Sequence, residues 1–347
     1  MTKKRFFPAA LFAAVLLQFL PSCRREAPWR VAEGAVWHTT YRITYQAPVA
    51  LDDSVMAVMD TVERNLSPFL PSSVISRINQ GVTDSVSPML AELFAVASRV
   101  SAASGGRFDP TVSPLVNLWG FGYDKDARAR AESGGDDGDF VIPREMIDSA
   151  RGRVGPGACR IEGGRMIKKH PATSFNFSAV TKGYACDRVA AMLRRNGAEN
   201  YLVEIGGELA AGGNSPKGRP WLVQIDAPTS ETGHDRLTVV KMTHGGMATS
   251  GNYRNFHTTE RYGRIGHTID PLTGMPVQTD VASATVIAPT AAEADAWATA
   301  AMASRGADAL AMIAGADSVE CLLVVAADGG ADSLALLRSP GFPKPEK

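Results

Sequence analysis

The sequence predicts an α+β domain on a mixed or largely antiparallel sheet, and three observations carry that expectation. In the second half, stretches of strand character at 201–205, 221–226, 237–243, 283–288 and 320–326 include neighbours joined by turns with no helix between them. Apolar residues recur at helical spacing over 49–65, 87–101, 181–196, 291–304 and 307–313. No internal repeat and no break in composition marks a second independent domain.

In chain order, residues 23–34 read as a short polar linker, and Trp37–Gln46 (WHTTYRITYQ) alternates as a strand does. The helical pattern over 49–65 closes at Leu66-Ser67-Pro68-Phe69, and Ser73–Asn79 follows. Leu90, Leu93, Phe94, Ala97 and Val100 share one face of the next helix, which Gly105 and Gly106 stop. Residues 124–139 are polar, acidic and Gly-rich, so they read as an exposed insertion with little structure. The helix at 181–196 ends at Gly197.

Composition narrows the function classes. The chain has 347 residues, 45% of them hydrophobic and 21% charged, with a formal net charge of zero. A chain of this size buries roughly three quarters of its unfolded surface. Beyond Lys3-Lys4-Arg5 there is no basic block, so nucleic acid is not expected as the main partner, and an anionic ligand must be held by local arrangement. Residues 1–22 read as a signal peptide: a basic head, an apolar run from Phe6 to Leu20 too short to span a bilayer comfortably, then Leu20-Pro21-Ser22-Cys23. That ending looks like a bacterial lipobox with an atypical Pro, which makes Cys23 the lipidated N-terminus; an ordinary cleaved secretory signal is the alternative. Both place the folded part outside the cytoplasm. Cys159, Cys186 and Cys321 have no metal-ligand or CxxC spacing. They are expected as free buried thiols, with one disulfide among them left open.

Chemistry-bearing residues gather in four places. Asn176–Asp187 (NFSAVTKGYACD) enters a helix near Lys182, where free amides and the positive dipole end suit an anion. Glu204-Ile205-Gly206-Gly207-Glu208 ends a strand in a Gly pair that lets a ligand approach the backbone. Between Met247 and Pro276, Thr249, Ser250, Arg254, His267 and Asp270 hang from short turn-rich connections. Asp295 and Thr299 lie four apart, so a helix puts both oxygens on one side, a set suited with a backbone carbonyl to a hard cation such as Mg²⁺. Each alone is also what an ordinary turn, surface lysine or helix-face hydrogen bond looks like. The GxxxxGK[ST], GxGxxG, HExxH and GxSxG signatures are absent, so no rival enzyme class gains support from them.

Taken together and in order, these motifs resemble the ApbE family, the FAD:protein FMN transferases. The likeness runs from about Val36 to Ile313 through LSPF (66–69), SRIN (76–79), GRFDPTV (106–112), AVTKGYACD (179–187), EIGGE (204–208), ATSG (248–251), HTIDPLTG (267–274) and Ala294-Asp295 with Thr299. It implies a two-lobed flavin-transferase architecture related to the T-fold, in a single domain over 35–340, with FAD in the cleft between lobes. Position by position it implies that Trp37 and Phe69 pack on the flavin, that Arg107, Phe108 and Asp109 line the cleft, and that Asn176, Lys182, Glu204, Thr249, Ser250 and His267 contact FAD. It implies a Mg²⁺ site made of Asp295, Thr299 and the Ala179 carbonyl. His38 stands where the family usually has Gly, and Asn176 where it more often has Asp.

The reaction implied is Mg²⁺-dependent transfer of FMN from FAD to a Thr or Ser of a partner protein, forming a phosphoester and releasing AMP. The acceptor hydroxyl needs a base, and His267 has a suitable intrinsic pKa. Asp270 either orients it or caps its own turn. Two other readings use the same residues: a flavin-storing lipoprotein without transfer, and Mg²⁺-dependent hydrolysis of FAD to FMN and AMP. Lipid anchoring is common in the family, and its usual acceptor is a membrane redox subunit facing the same compartment.

Overall fold

The computed structural model describes residues 26–133, 140–228, 235–251, 256–259, 261–327, 333–344 and 346. The expected signal segment, Cys23 and Arg254 lie outside them. An eight-stranded sheet organises the chain: β1 (Trp29–Val36), β2 (Thr39–Gln46), β5 (Tyr201–Ile205), β6 (Glu208–Gly212), β9 (His244–Gly251), β12 (Val281–Ala288), β13 (Glu320–Ala326) and β14 (Leu334–Arg338), side by side in that order. Every neighbouring pair in it is antiparallel. The α+β, antiparallel expectation holds.

Helices α1 (Asp52–Leu66), α2 (Val74–Asn79), α3 (Pro88–Ala103), α7 (Ser178–Arg195), α8 (Ala291–Met302) and α9 (Gly306–Ala314) supply the large core on one face of this sheet. In α1 the buried Val55, Met59, Val62 and Leu66 form one stripe, the 3.6-residue period made solid. Ser87 caps α3 by accepting from Leu90 N at 3.1 Å, with Pro88 inside the first turn. Thr290 caps α8 by accepting from Glu293 N at 3.2 Å, and its hydroxyl donates to Glu293 Oε2. The hairpin of β7 (Trp221–Asp226) and β8 (Arg236–Met242) covers the opposite face through Trp221, Val223, Val240 and Met242, packed on Leu209, Met247 and Leu322.

A smaller lobe has its own core of Leu115, Trp119, Phe140, Ile147, Ile265 and Ile269. It is built from α4 (Ser113–Leu118), α5 (Lys125–Ser133), α6 (Arg144–Arg151) and the hairpin β10 (Phe256–Thr259)–β11 (Gly263–Gly266). A further hairpin, β3 (Cys159–Glu162)–β4 (Arg165–Lys168), leads into α7. Among the described residues no helix is long and apolar enough to cross a membrane. Cys159, Cys186 and Cys321 are free thiols.

Four expectations change. The linker ends at Pro28, because Trp29–Val36 pairs with all of β2 as the edge strand. It eluded the alternation test because only Ala32 in it is buried. The first half of the expected insertion is helix α5: Asp124 Oδ1 accepts from Asp126 N and Ala127 N, and Ala127 and Ala131 are buried. Thr249 and Ser250 hang from no loop; they lie in β9, a central strand held on both sides by β6 and β12. Helix α7 starts at Ser178, so Lys182 stands in its second turn and the first-turn amides lie behind it.

Candidate active site

Lys182, on α7, points toward the start of β6 and meets Glu208, with 2.6 Å between Nζ and Oε1. Glu208 follows the Gly206-Gly207 turn, and this turn passes close to the lysine. A Cβ on Gly206, whose φ is +63°, would lie 3.0 Å from Thr39 Cγ2 and 3.2 Å from Lys182 Cδ. Thr39 opens β2 directly after the two-residue turn Trp37-His38, where both residues have positive φ (49° and 61°). A turn of that kind favours Gly, so His38 carries backbone strain there. The Trp37 side chain packs at the edge of the main core with its indole Nε1 buried and unpartnered.

Asp295, on α8, is the second carboxylate of the cluster. Its Oδ2 accepts the Gly183 N–H at 3.1 Å. An α-helix directs that amide at the carbonyl four residues back, which is Ala179. One N–H therefore places the Asp295 carboxylate beside the Ala179 carbonyl, and Thr299 stands one turn further along the same face of α8. Burial pushes the Asp295 and Glu208 carboxyls above their usual range, against the pull of Lys182. Lys182 is pushed up in turn, its charge held by Asp295 and Glu208 in spite of burial. Two buried carboxylates thus share one ammonium, and Glu208 Oε2 has no hydrogen-bond partner.

That donor set fits a hard divalent cation: a carboxylate, a carbonyl and a hydroxyl. Among the described residues no group of three or more His, Cys, Asp or Glu side chains stands together as a metal site. A cation here rests on mixed oxygens with a single carboxylate.

The same face of α8 continues to Ala303, about 12 Å beyond Asp295 at 1.5 Å per residue. There Arg107 donates from Nη1 to the Ala303 carbonyl at 3.0 Å and lies 3.6 Å from Asp270 Oδ2. These residues line a cleft of about 450 Å³ with Tyr262, Met275 and Arg305. Asp270 is committed to its turn: Oδ1 accepts from Leu272 N, and Oδ2 from Thr273 Oγ1. His267, three residues earlier and exposed, meets the Phe121 ring edge-on at 6.5 Å between centroids.

Other expected site residues fall elsewhere. Phe108 and Asp109 turn inward, at 3% and 4% exposure, so only Arg107 of that motif reaches the cleft. Asp109 ties the following turn by accepting from Thr111 N and Oγ1, and burial pushes its carboxyl up. Asn176 forms an Asx turn just before α7, its Oδ1 accepting from Ser178 N at 2.9 Å. Glu204 and Thr249 lie in a second groove with Leu222 and Met247 of the other sheet face. There Glu204 takes the Gly207 amide, and Thr249 pairs with Thr285 at 2.9 Å. Ser250 has the opposite strand parity to Thr249, and Phe69 is 56% exposed. Sequence reasoning passed over Glu208, whose signal was its place just beyond the Gly pair and in cross-strand register with Ile205.

The architecture is that of solved flavin transferases. The flavin transferase ApbE from Vibrio cholerae superposes with a TM-score of 0.77 at 30% identity, covering 91% of this chain and 98% of that one. The apo flavinyl transferase ApbE of Pseudomonas stutzeri gives 0.76 at 30% identity, covering 92% and 97%. In sequence, the FAD:protein FMN transferase of Klebsiella pneumoniae (strain 342) is 34% identical over 309 residues, 84% of this chain and 85% of that protein. Residues 37–323 match the model of the ApbE family, and the chain belongs to that family.

Proposed function

We propose that this enzyme is a FAD:protein FMN transferase, a reading supported by its relatives and by the Lys182–Glu208–Asp295 cluster between α7, β6 and α8. The bond that forms joins a Ser or Thr oxygen of the acceptor protein to the FMN phosphorus. The bond that breaks is the bridging P–O bond of FAD, and AMP leaves with its electron pair. Mg²⁺ held by Asp295, Thr299 and the Ala179 carbonyl would neutralise charge that develops on the phosphates. Lys182, a third of its side chain exposed, offers its ammonium to the same oxygens, with Glu208 fixing its direction. Arg107 at the far end of the α8 face holds a further part of FAD. His267, exposed at the rim, takes the proton of the acceptor hydroxyl.

For location, the lipobox-like Leu20–Cys23 supports lipid attachment at Cys23 and a site facing the extracytoplasmic side of the membrane. A membrane redox subunit is then the natural acceptor. Incubation with FAD, Mg²⁺ and such an acceptor tests the function. Flavin fluorescence on the denatured acceptor is expected; free FMN alone would assign hydrolysis, and unchanged FAD would assign storage.

A further inference from the structure

Helices α7 and α8 are fastened together more firmly than packing requires. The Asp187 carboxylate, on α7, accepts from both Ala291 N and Ala292 N at 2.9 Å each, across 104 and 105 residues of sequence. The next two amides of α8 are already served by Thr290, whose Oγ1 takes Glu293 N and whose carbonyl takes Ala294 N. One turn before Asp187, Gly183 lets the helices touch: a Cβ there would lie 2.2 Å from the Ala291 carbonyl oxygen. The Gly183 amide then holds Asp295 itself. Residues 183–187 thus fix residues 291–295 at three points. A slip of one residue would swing each α8 side chain by about 100° and carry the Asp295 carboxylate away from the Ala179 carbonyl.

We propose that Asp187 is a positioning residue for the cation site: by seizing the first two amides of α8 it sets the rotation that aims Asp295 and Thr299 beside Ala179. The proposal rests on the reading of Asp295 as the cation ligand. Asp187 touches neither substrate nor cation; it acts through α8.

Mg²⁺ affinity separates this role from simple stabilisation. The rise in melting temperature on titrating Mg²⁺ into FAD-loaded protein gives the half-saturating concentration without reference to turnover. Asp187→Ala is expected to raise that concentration tenfold or more. Asp187→Asn keeps the shape and one acceptor oxygen, so it should raise it severalfold and remain available if the alanine variant fails to fold. Val189→Ala, in the same helix and fully buried, is the control for lost stability. It should lower the melting temperature yet leave Mg²⁺ half-saturation within twofold. Folded Asp187 variants with half-saturation within twofold of wild type would overturn the proposal. Asp295→Ala run in parallel isolates the underlying reading: if that variant keeps the Mg²⁺ response, the cation assignment fails, whatever Asp187 does.

Discussion

Glu208→Gln removes one charge from the centre of the site and almost nothing else. At 2.6 Å between Lys182 Nζ and Glu208 Oε1, an effective dielectric of about 20 gives a Coulomb attraction of about 6 kcal/mol. Desolvation of two charged groups cancels much of it, and breaking a buried pair from one side typically costs about 3–5 kcal/mol. The loss here belongs at or below the low end. The Lys182 side chain is 34% exposed, which screens the pair, and Asp295 still faces the ammonium. A loss of about 2–3 kcal/mol follows, or about 3–5 °C in melting temperature for a domain of this size. Activity should suffer more. An ammonium released from its carboxylate no longer points at one place, and a misplacement of about 1 Å costs on the order of a hundredfold in rate. Differential scanning fluorimetry and FAD-dependent labelling of an acceptor protein measure the two effects. A variant that melts within 1 °C of wild type and labels within twofold of its rate would refute the reasoning, since Glu208 would then neither hold nor aim Lys182.

Three further outcomes are expected. Asp295→Ala, which removes the single charged donor of the proposed cation set, should lower transfer by about a thousandfold, on the order of 4 kcal/mol of barrier; a folded variant that Mg²⁺ still stimulates at wild-type concentrations would sink the assignment. Burial pushes the Asp187 carboxyl from 3.8 up to about 6, against the two α8 amides that favour its charge. The folded state therefore keeps this proton longer than the unfolded chain does, so the contribution is complete below pH 3.8 and is lost as pH rises through about 6. Between pH 4.5 and 7.5 wild type should lose about 2 kcal/mol relative to Asp187→Asn in urea unfolding, and a wild type that gains on Asp187→Asn as pH rises would contradict the sign. Finally, Cys23→Ser should move the mature protein out of the membrane fraction or leave it unprocessed, and wild-type protein found in the soluble periplasmic fraction would exclude the anchor.

What the sequence disclosed is what short-range chemistry controls. Helix α3 was readable because the stripe of Leu90, Leu93, Ala97 and Val100 and the Gly105-Gly106 stop are local signals. Asp295 and Thr299 were readable as a pair because four residues along a helix is a fixed geometry. Strand β9 was not: HGGMATSG has little strand propensity, and the ladders of β6 and β12 impose its conformation. The same limit hid Glu208 and Asp187. Glu208 is marked locally only by the Gly pair before it and Asp187 by nothing, and their partners lie 26 and 104 residues away, at Lys182 and Ala291. Parity also mattered: Thr249 and Ser250 are adjacent in the chain yet face opposite sides of the sheet, which a reading of them as loop residues could not resolve.

The charge arithmetic of the cluster explains why a neutral chain can act on an anion. Asp295 and Glu208 set two buried carboxyls around one ammonium, and burial pushes both toward the protonated form. A divalent cation at Asp295 favours the charged carboxylate and meets the phosphate oxygens, so in the proposed reaction FAD and Mg²⁺ assist each other's binding, each raising the other's affinity by the same factor. Held by two carboxylates, Lys182 stays protonated at every physiological pH and keeps one direction, and a phosphate approaching along the α8 face meets a charge already in place.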